Sequence, residues 1–150
     1  MVSEPVVEFD RSVLGQEIDG GTFEIDGAKL QAFAEAVGET NPIYSSEEAA
    51  KAAGYDSIIA PPAFLNTLII GSGRPDPKVD FGTLTFHSGQ ALEVYCPVKA
   101  GDTIRAVTSL EDIYAKTGRS GTMVFIVWKT TLINQEDAQV AVARESFVRR

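Results

Sequence analysis

The chain is poor in the residues that cross-link a small protein or hold a metal in it. Its 150 residues include one cysteine, Cys96, and one histidine, His87. A single cysteine excludes an internal disulfide and a cysteine zinc cluster, so a metal site would need mostly carboxylates; no metal or redox cofactor is expected. Basic charge is also scarce: 13 Lys and Arg against 21 Asp and Glu give a formal net charge of −8. That balance argues against nucleic acid or an anionic membrane surface as the main partner. A small anionic ligand stays compatible, because Lys29, Lys51, Arg74, Lys78, Arg105, Lys116 and Arg119 are available for a local patch. No apolar run approaches the roughly 20 residues of a membrane span. The opening Met-Val-Ser-Glu-Pro-Val-Val-Glu has neither the basic start nor the apolar run of a secretion signal. These absences predict a soluble, cytoplasmic protein.

What is present is ordinary globular composition, 44% hydrophobic and 23% charged. A chain of this length buries enough surface to support a core unaided, and one domain over residues 1–150 is expected.

The first half reads as short helices. Thr22-Phe23-Glu24-Ile25 is a brief strand, and residues 28–37 form a helix with Leu30, Phe33, Ala34 and Val37 on one face. Asp26 caps that helix and Gly38 ends it. A second helix covers residues 47–53 behind Ser45 or Ser46, with Gly54 as its stop. Ile58-Ile59-Ala60-Pro61-Pro62 leads into a third, residues 63–70, apolar on nearly every side and therefore expected to be buried. Gly71 and Gly73 end it.

From about Leu84 the pattern changes to β. Leu92, Val94, Cys96 and Val98 alternate with polar or half-polar neighbours. Residues 103–114, 122–133 and 139–148 read as further strands, separated by turns at 99–102, 116–121 and 134–137. The unbroken run from Met123 to Trp128 suggests a strand covered on both faces. Sequential strands with short turns imply an antiparallel meander. Placing the apolar third helix against it gives an α+β hot-dog fold, a curved antiparallel sheet wrapped around a buried central helix. Such a sheet leaves an edge that oligomerisation would cover.

Four places can carry chemistry. Glu39, Asn41 and Tyr44 gather a carboxylate, an amide and a phenol within six residues. Hydration of a double bond conjugated to a thioester needs a group that activates water, a proton donor for the α-carbon and donors near the thioester oxygen. Glu39 fits the base and Asn41 could orient the water, whereas a phenol with a reference pKa near 10 suits neutral proton donation poorly. The plainer reading is a helix exit, with Glu39 solvated, Asn41-Pro42 a turn and Tyr44 packed. His87 is the only side chain titrating near neutrality in its ordinary state; it reads first as a partly buried strand histidine and second as a ligand contact. The backbone N–H groups of residues 58–62 could hold an oxyanion at the helix start, or simply enter the helix. Cys96 reads as a small core hydrophobe rather than a nucleophile.

Five blocks in order carry a family resemblance. They are Phe33-Ala34-Glu35-Ala36-Val37-Gly38-Glu39-Thr40-Asn41-Pro42-Ile43-Tyr44, Ile59-Ala60-Pro61-Pro62-Ala63-Phe64, His87-Ser88-Gly89-Gln90, Pro97-Val98-Lys99-Ala100-Gly101-Asp102 and Tyr114-Ala115-Lys116-Thr117-Gly118-Arg119-Ser120-Gly121. Over nearly its whole length the chain resembles the MaoC-like hydratase/dehydratase superfamily, in its dehydratase N-terminal domain branch. The resemblance implies a fatty acyl thioester ligand, on coenzyme A or acyl carrier protein, and reversible hydration of trans-2-enoyl to (R)-3-hydroxyacyl thioester. Active members carry an Asp and a His at positions that fall on Glu39 and Tyr44, so the carboxylate is lengthened and the imidazole absent. Ala60, Pro61, Pro62, Phe64 and His87 become candidate substrate-binding residues, and Leu68, Phe81 and Phe86 candidate tunnel walls. The branch implies a substrate-binding subunit beside a catalytic MaoC-like partner. The alternatives are a self-sufficient homodimeric hydratase using Glu39 and a non-enzymatic acyl-CoA-binding or structural module.

Overall fold

A computed structural model of the chain describes residues 5–150. Five strands form a single antiparallel sheet: β1 (Glu17–Glu24), β2 (Thr85–Val94), β3 (Thr103–Gly118), β4 (Gly121–Ile133) and β5 (Gln139–Arg149). Three short helices precede β2: α1 (Gly27–Ala36), α2 (Glu47–Ala52) and α3 (Leu65–Gly71).

The first two helices start where the caps predict. The Asp26 carboxylate accepts from the Ala28 amide at 2.8 Å, and the Ser46 hydroxyl from the Ala49 amide at 3.2 Å. Gly38, at φ +72°, takes the left-handed turn that lets the Glu39 amide reach back to the Ala34 carbonyl. The face of α1 is narrower than its periodicity suggests: Leu30 and Ala34 are buried, whereas Val37 lies out in solvent.

The sheet order is β1-β3-β4-β5-β2. β3, β4 and β5 are the expected meander, but β2 is not next to β3; it crosses to the far side and pairs with β5. The cause lies in residues 95–102. The Tyr95 and Cys96 amides still reach the Val140 carbonyl, after which the chain is drawn toward the helix side. There Ala60 donates to the Val98 carbonyl at 2.7 Å and Ala100 to the Ile58 carbonyl at 2.8 Å. The first strand extends well before the expected Thr22, and the β4 run expected to be covered on both faces instead alternates. Val124 and Ile126 are buried, and Met123, Phe125 and Val127 are half-buried.

The hot-dog arrangement is not what forms. The helix expected to fill a curled sheet is only seven residues long, Leu65–Gly71. Leu65, Leu68 and Ile69 are buried against the sheet, but Ile70 on the opposite side is 75% exposed. The sheet is open, with β1 and β2 as its two edges. The local chemistry explains the short helix. Pro61-Pro62 forces a separate 3-10 turn over Pro62–Phe64, and the Ser72 hydroxyl donates to the Leu68 carbonyl as the helix ends. The fold is α+β with an open antiparallel sheet and small helices on one face.

Two apolar clusters lie on that face. One joins Leu30, Leu65 and Ile69 to Ile104, Leu132 and Val140. The other joins Val79, Leu110, Val124 and Ile126, with Phe9, Phe81 and Trp128 at its margin. Each fully buried large aliphatic contributes about 1.5–3 kcal/mol. A strap, residues 74–81, lies over the second cluster. It is fastened by the Asp10 amide to the Pro77 carbonyl at 2.7 Å and by Trp128 Nε1 to the Pro75 carbonyl at 3.2 Å. The strap ends at Gly82, whose φ is +61° and where a Cβ would lie 2.4 Å from the Arg150 carbonyl carbon.

Candidate functional site

The loop after α1 uses its polar atoms locally. Glu39 Oε1 accepts from the backbone amides of Thr40 at 2.9 Å and Asn41 at 3.0 Å. Asn41 Oδ1 accepts from the Ile43 amide at 3.2 Å and so caps the 3-10 turn Pro42–Tyr44. Glu39 and Asn41 are both exposed, while Tyr44 is half-buried. The turn places Tyr44 on the wall of a largely apolar cavity.

That cavity has a volume of about 210 Å³ and is walled by Tyr44, Ile59, Ala60, Pro62, Leu65 and residues 94–98. Tyr44, expected at a catalytic position, thus meets two of the expected binding residues, Ala60 and Pro62, in one place. Phe64 is buried in the core behind, edge-on to Phe33 at 5.5 Å, and Pro61 is buried in the same turn. A second, more polar cavity of about 380 Å³ adjoins the first, sharing Ile59, Cys96 and Pro97. On its rim Lys99 Nζ lies 2.9 Å from Asp56 Oδ2. That hydrogen bond holds the Asp56 carboxyl below its ordinary pKa and raises that of the Lys99 ammonium.

The expected oxyanion site at the helix entry does not form from the amides of Ile59 and Ala60. They donate to the Ile43 carbonyl at 3.3 Å and the Val98 carbonyl at 2.7 Å. The expected tunnel walls are also dispersed: Leu68 lies in the first core cluster, Phe81 packs on the second, and Phe86 is 42% exposed on β2.

His87 occupies a different site. Its Nε2 lies 3.3 Å from Glu145 Oε2, and its ring meets Phe147 edge-on at 4.9 Å. The opposite carboxylate oxygen of Glu145 accepts from Arg74. The Glu145 side chain is only 5% exposed. The Arg74 guanidinium also covers the rings of Trp128 at 5.5 Å and Phe147 at 5.1 Å. Asn66, Ile70 and Gln90 complete a cavity of about 510 Å³ in front of this group. Glu145 escaped the sequence reading because Arg144 and Glu145 are adjacent on a strand and only the register decides which faces inward. Pairing opposite Trp128 puts Glu145 on the core face.

Among the described residues, no group of three or more His, Cys, Asp or Glu side chains is placed to hold a metal ion, and no helix is long and apolar enough to cross a membrane.

Comparison with known proteins agrees with the motif order. The family described as FAS1-like, dehydratase domain region, matches residues 12–143. A UPF0336 protein from Saccharopolyspora erythraea is 31% identical over 147 residues, which cover 94% of this chain and 91% of that one. A stretch of 52 residues is 45% identical to the 3-oxo-4,17-pregnadiene-20-carboxyl-CoA hydratase alpha subunit of Mycobacterium tuberculosis, covering 34% of this chain and 17% of that one. Among solved structures, a chain of the C-terminally truncated HadBC (3R-hydroxyacyl-ACP dehydratase) complex from Mycobacterium tuberculosis superposes with a TM-score of 0.76 at 23% identity. The match covers 93% of this chain and 98% of that one. A chain of the ChsH1–ChsH2 complex from the same organism gives 0.71 at 22% identity, covering 89% and 82%. At such identities the solved structures establish a shared fold, while the family match spans most of the sequence. The chain belongs to the family described as FAS1-like, dehydratase domain region.

Proposed function

We propose that this chain is an acyl-thioester-binding subunit of an (R)-specific enoyl-thioester hydratase/3-hydroxyacyl dehydratase, acting beside a catalytic MaoC-like partner. The observation that carries the reading is the division of labour in the 39–44 loop. Glu39 is engaged by two backbone amides at the exposed end, and only Tyr44 reaches the apolar cavity. A group that activates water must be within hydrogen-bond reach of it at the reacting carbon. A phenol on an apolar wall instead suits the packing of a hydrocarbon chain. An open edge at β2 supports assembly with another chain. The HadBC and ChsH1–ChsH2 structures, to which this fold is similar, are themselves two-component complexes. The ligand is the acyl thioester itself, and the chemistry requires no metal or redox cofactor.

The test is loss of the conjugated enoyl absorbance with short, medium and long trans-2-enoyl-CoA substrates. It is run with the folded chain alone and then mixed with a MaoC-like chain that carries an intact Asp and His. The expected result is no turnover alone, acyl-CoA binding weakened about tenfold or more by Tyr44→Ala, and altered chain-length preference in the mixture. Turnover by the chain alone that disappears in Glu39→Gln overturns the proposal.

A further inference from the structure

Between the strap and the sheet runs an open cavity of about 320 Å³. That lies in the range of small-molecule sites, roughly 300–1,000 Å³. Its walls are largely apolar: Pro75 and Val79 come from the strap, Ile126 and the Trp128 ring from β4. Arg149 stands among them. It is half-buried, and its guanidinium donates to the carbonyls of Val79 and Gly82. Both acceptors are neutral, and no carboxylate among the described residues forms an ion pair with Arg149. Arg74 also lines the cavity, but Glu145 offsets its charge. Asp76 borders the cavity too. It is exposed, its Oδ1 accepts from the Lys78 amide at 2.9 Å, and water screens a charge in that position. A half-buried cation without a counterion is unfavourable, and an anion brought beside it is held more strongly than in open water. A guanidinium has five N–H donors. Two of those of Arg149 meet the carbonyls and the Nε–H is enclosed, which leaves a hydrogen on each terminal nitrogen. Thr85 stands directly opposite Arg149 in the β2–β5 register and lines the same cavity, adding a hydroxyl donor next to the guanidinium.

We propose that this cavity is a binding site for a monocarboxylate with an apolar body. The carboxylate accepts from the terminal nitrogens of Arg149 and from the Thr85 hydroxyl. The hydrocarbon part lies along Pro75, Val79, Ile126 and the Trp128 ring. Charge and apolar area act together: a bare anion lacks the walls, and an uncharged hydrocarbon leaves Arg149 without a counterion. The site is separate from the Tyr44 cavity and does not depend on the function assigned there.

Trp128 is the only tryptophan in the chain and lines this cavity, so its emission reports on occupancy directly. The probes are octanoate, 1-octanol and octylammonium, which share a hydrocarbon chain and differ in the charge of the head group. A saturable change in Trp128 emission is expected with octanoate. The other two should bind at least tenfold more weakly, because neither supplies a charge-assisted acceptor to Arg149. Added salt should weaken octanoate binding. Arg149→Gln should remove the preference for the carboxylate, Arg149→Lys should retain part of it, and Tyr44→Ala should leave it intact. An absence of saturable change with octanoate, or comparable affinity for octanoate and either of the other probes, overturns the proposal. The probe comparison on the unaltered chain decides this even if an Arg149 variant fails to fold.

Discussion

Arg74 and Glu145 stand 71 positions apart in the chain and close one ion pair beneath the strap, with the Glu145 side chain 5% exposed. Arg74 leads the strap and Glu145 belongs to β5, so the pair fixes the strap's starting point on the sheet. Removing one partner of a buried pair leaves an uncompensated charge. Arg74→Leu is expected to lower stability by about 3–5 kcal/mol, and adding Glu145→Leu to it should recover much of the loss. Urea unfolding of the two single variants and the double variant measures the coupling.

Leu65 is 2% exposed and forms both the core beneath α3 and a wall of the Tyr44 cavity. Leu65→Ala is expected to cost about 2–5 kcal/mol. It should also move acyl-CoA binding toward longer chains, read by titration calorimetry with acyl-CoAs of increasing length. Unchanged chain-length preference in a folded variant would separate the cavity from the acyl site.

Gly82 joins the strap to β2 at φ +61°, with the Arg150 backbone where a side chain would begin. Gly82→Ala must displace that backbone. The expected loss is about 1–3 kcal/mol, with a lower thermal midpoint. Gly38→Ala is strained too, by its φ of +72°, but has open space around it, so it should lose less.

The Tyr95 hydroxyl donates to Glu93 Oε2 at 2.6 Å, and this bond to a carboxylate raises the phenol above its ordinary pKa. A folded-state pKa above the unfolded one contributes stability that is complete below the unfolded value and is lost as pH rises through the folded value. Absorbance titration in the alkaline range should therefore find one of the four tyrosines ionising late, and Glu93→Gln should move it back toward the others. The Asp56–Lys99 pair behaves differently at its two ends. Its contribution is lost as acid falls through the lowered Asp56 pKa and as alkali rises through the raised Lys99 pKa, leaving the neutral range flat.

Local signals carried much of this fold. Asp26, Ser46 and Gly38 act over one helical turn, and their side-chain or backbone geometry is set by neighbours a few residues away. The same holds for the turns between β3, β4 and β5. The failures were non-local. Nothing in Leu92, Val94, Cys96 and Val98 says that β2 pairs with β5 and stops at Val94; that follows from Ala60 and Ala100 drawing residues 98–100 to the helix side. The apolar run 63–70 suggested a fully buried helix because composition does not record that Pro61-Pro62 delays its start, nor that Ile70 faces outward. At the candidate site Tyr44, Ala60 and Pro62, which come from two separate motif blocks, line one cavity. That Glu39 turns back on its own backbone is a matter of side-chain geometry, and that Glu145 meets Arg74 and His87 is a matter of strand register.

Trp128, the chain's single tryptophan, has its indole nitrogen tied to Pro75 and its ring beneath Arg74. The protein's intrinsic fluorescence therefore originates at the seam between strap and sheet. Lifting of residues 74–81 exposes that ring to water and shifts its emission to the red, while events confined to the Tyr44 end leave it unchanged. The molecule thus carries an unlabelled optical gauge of the region around Arg74.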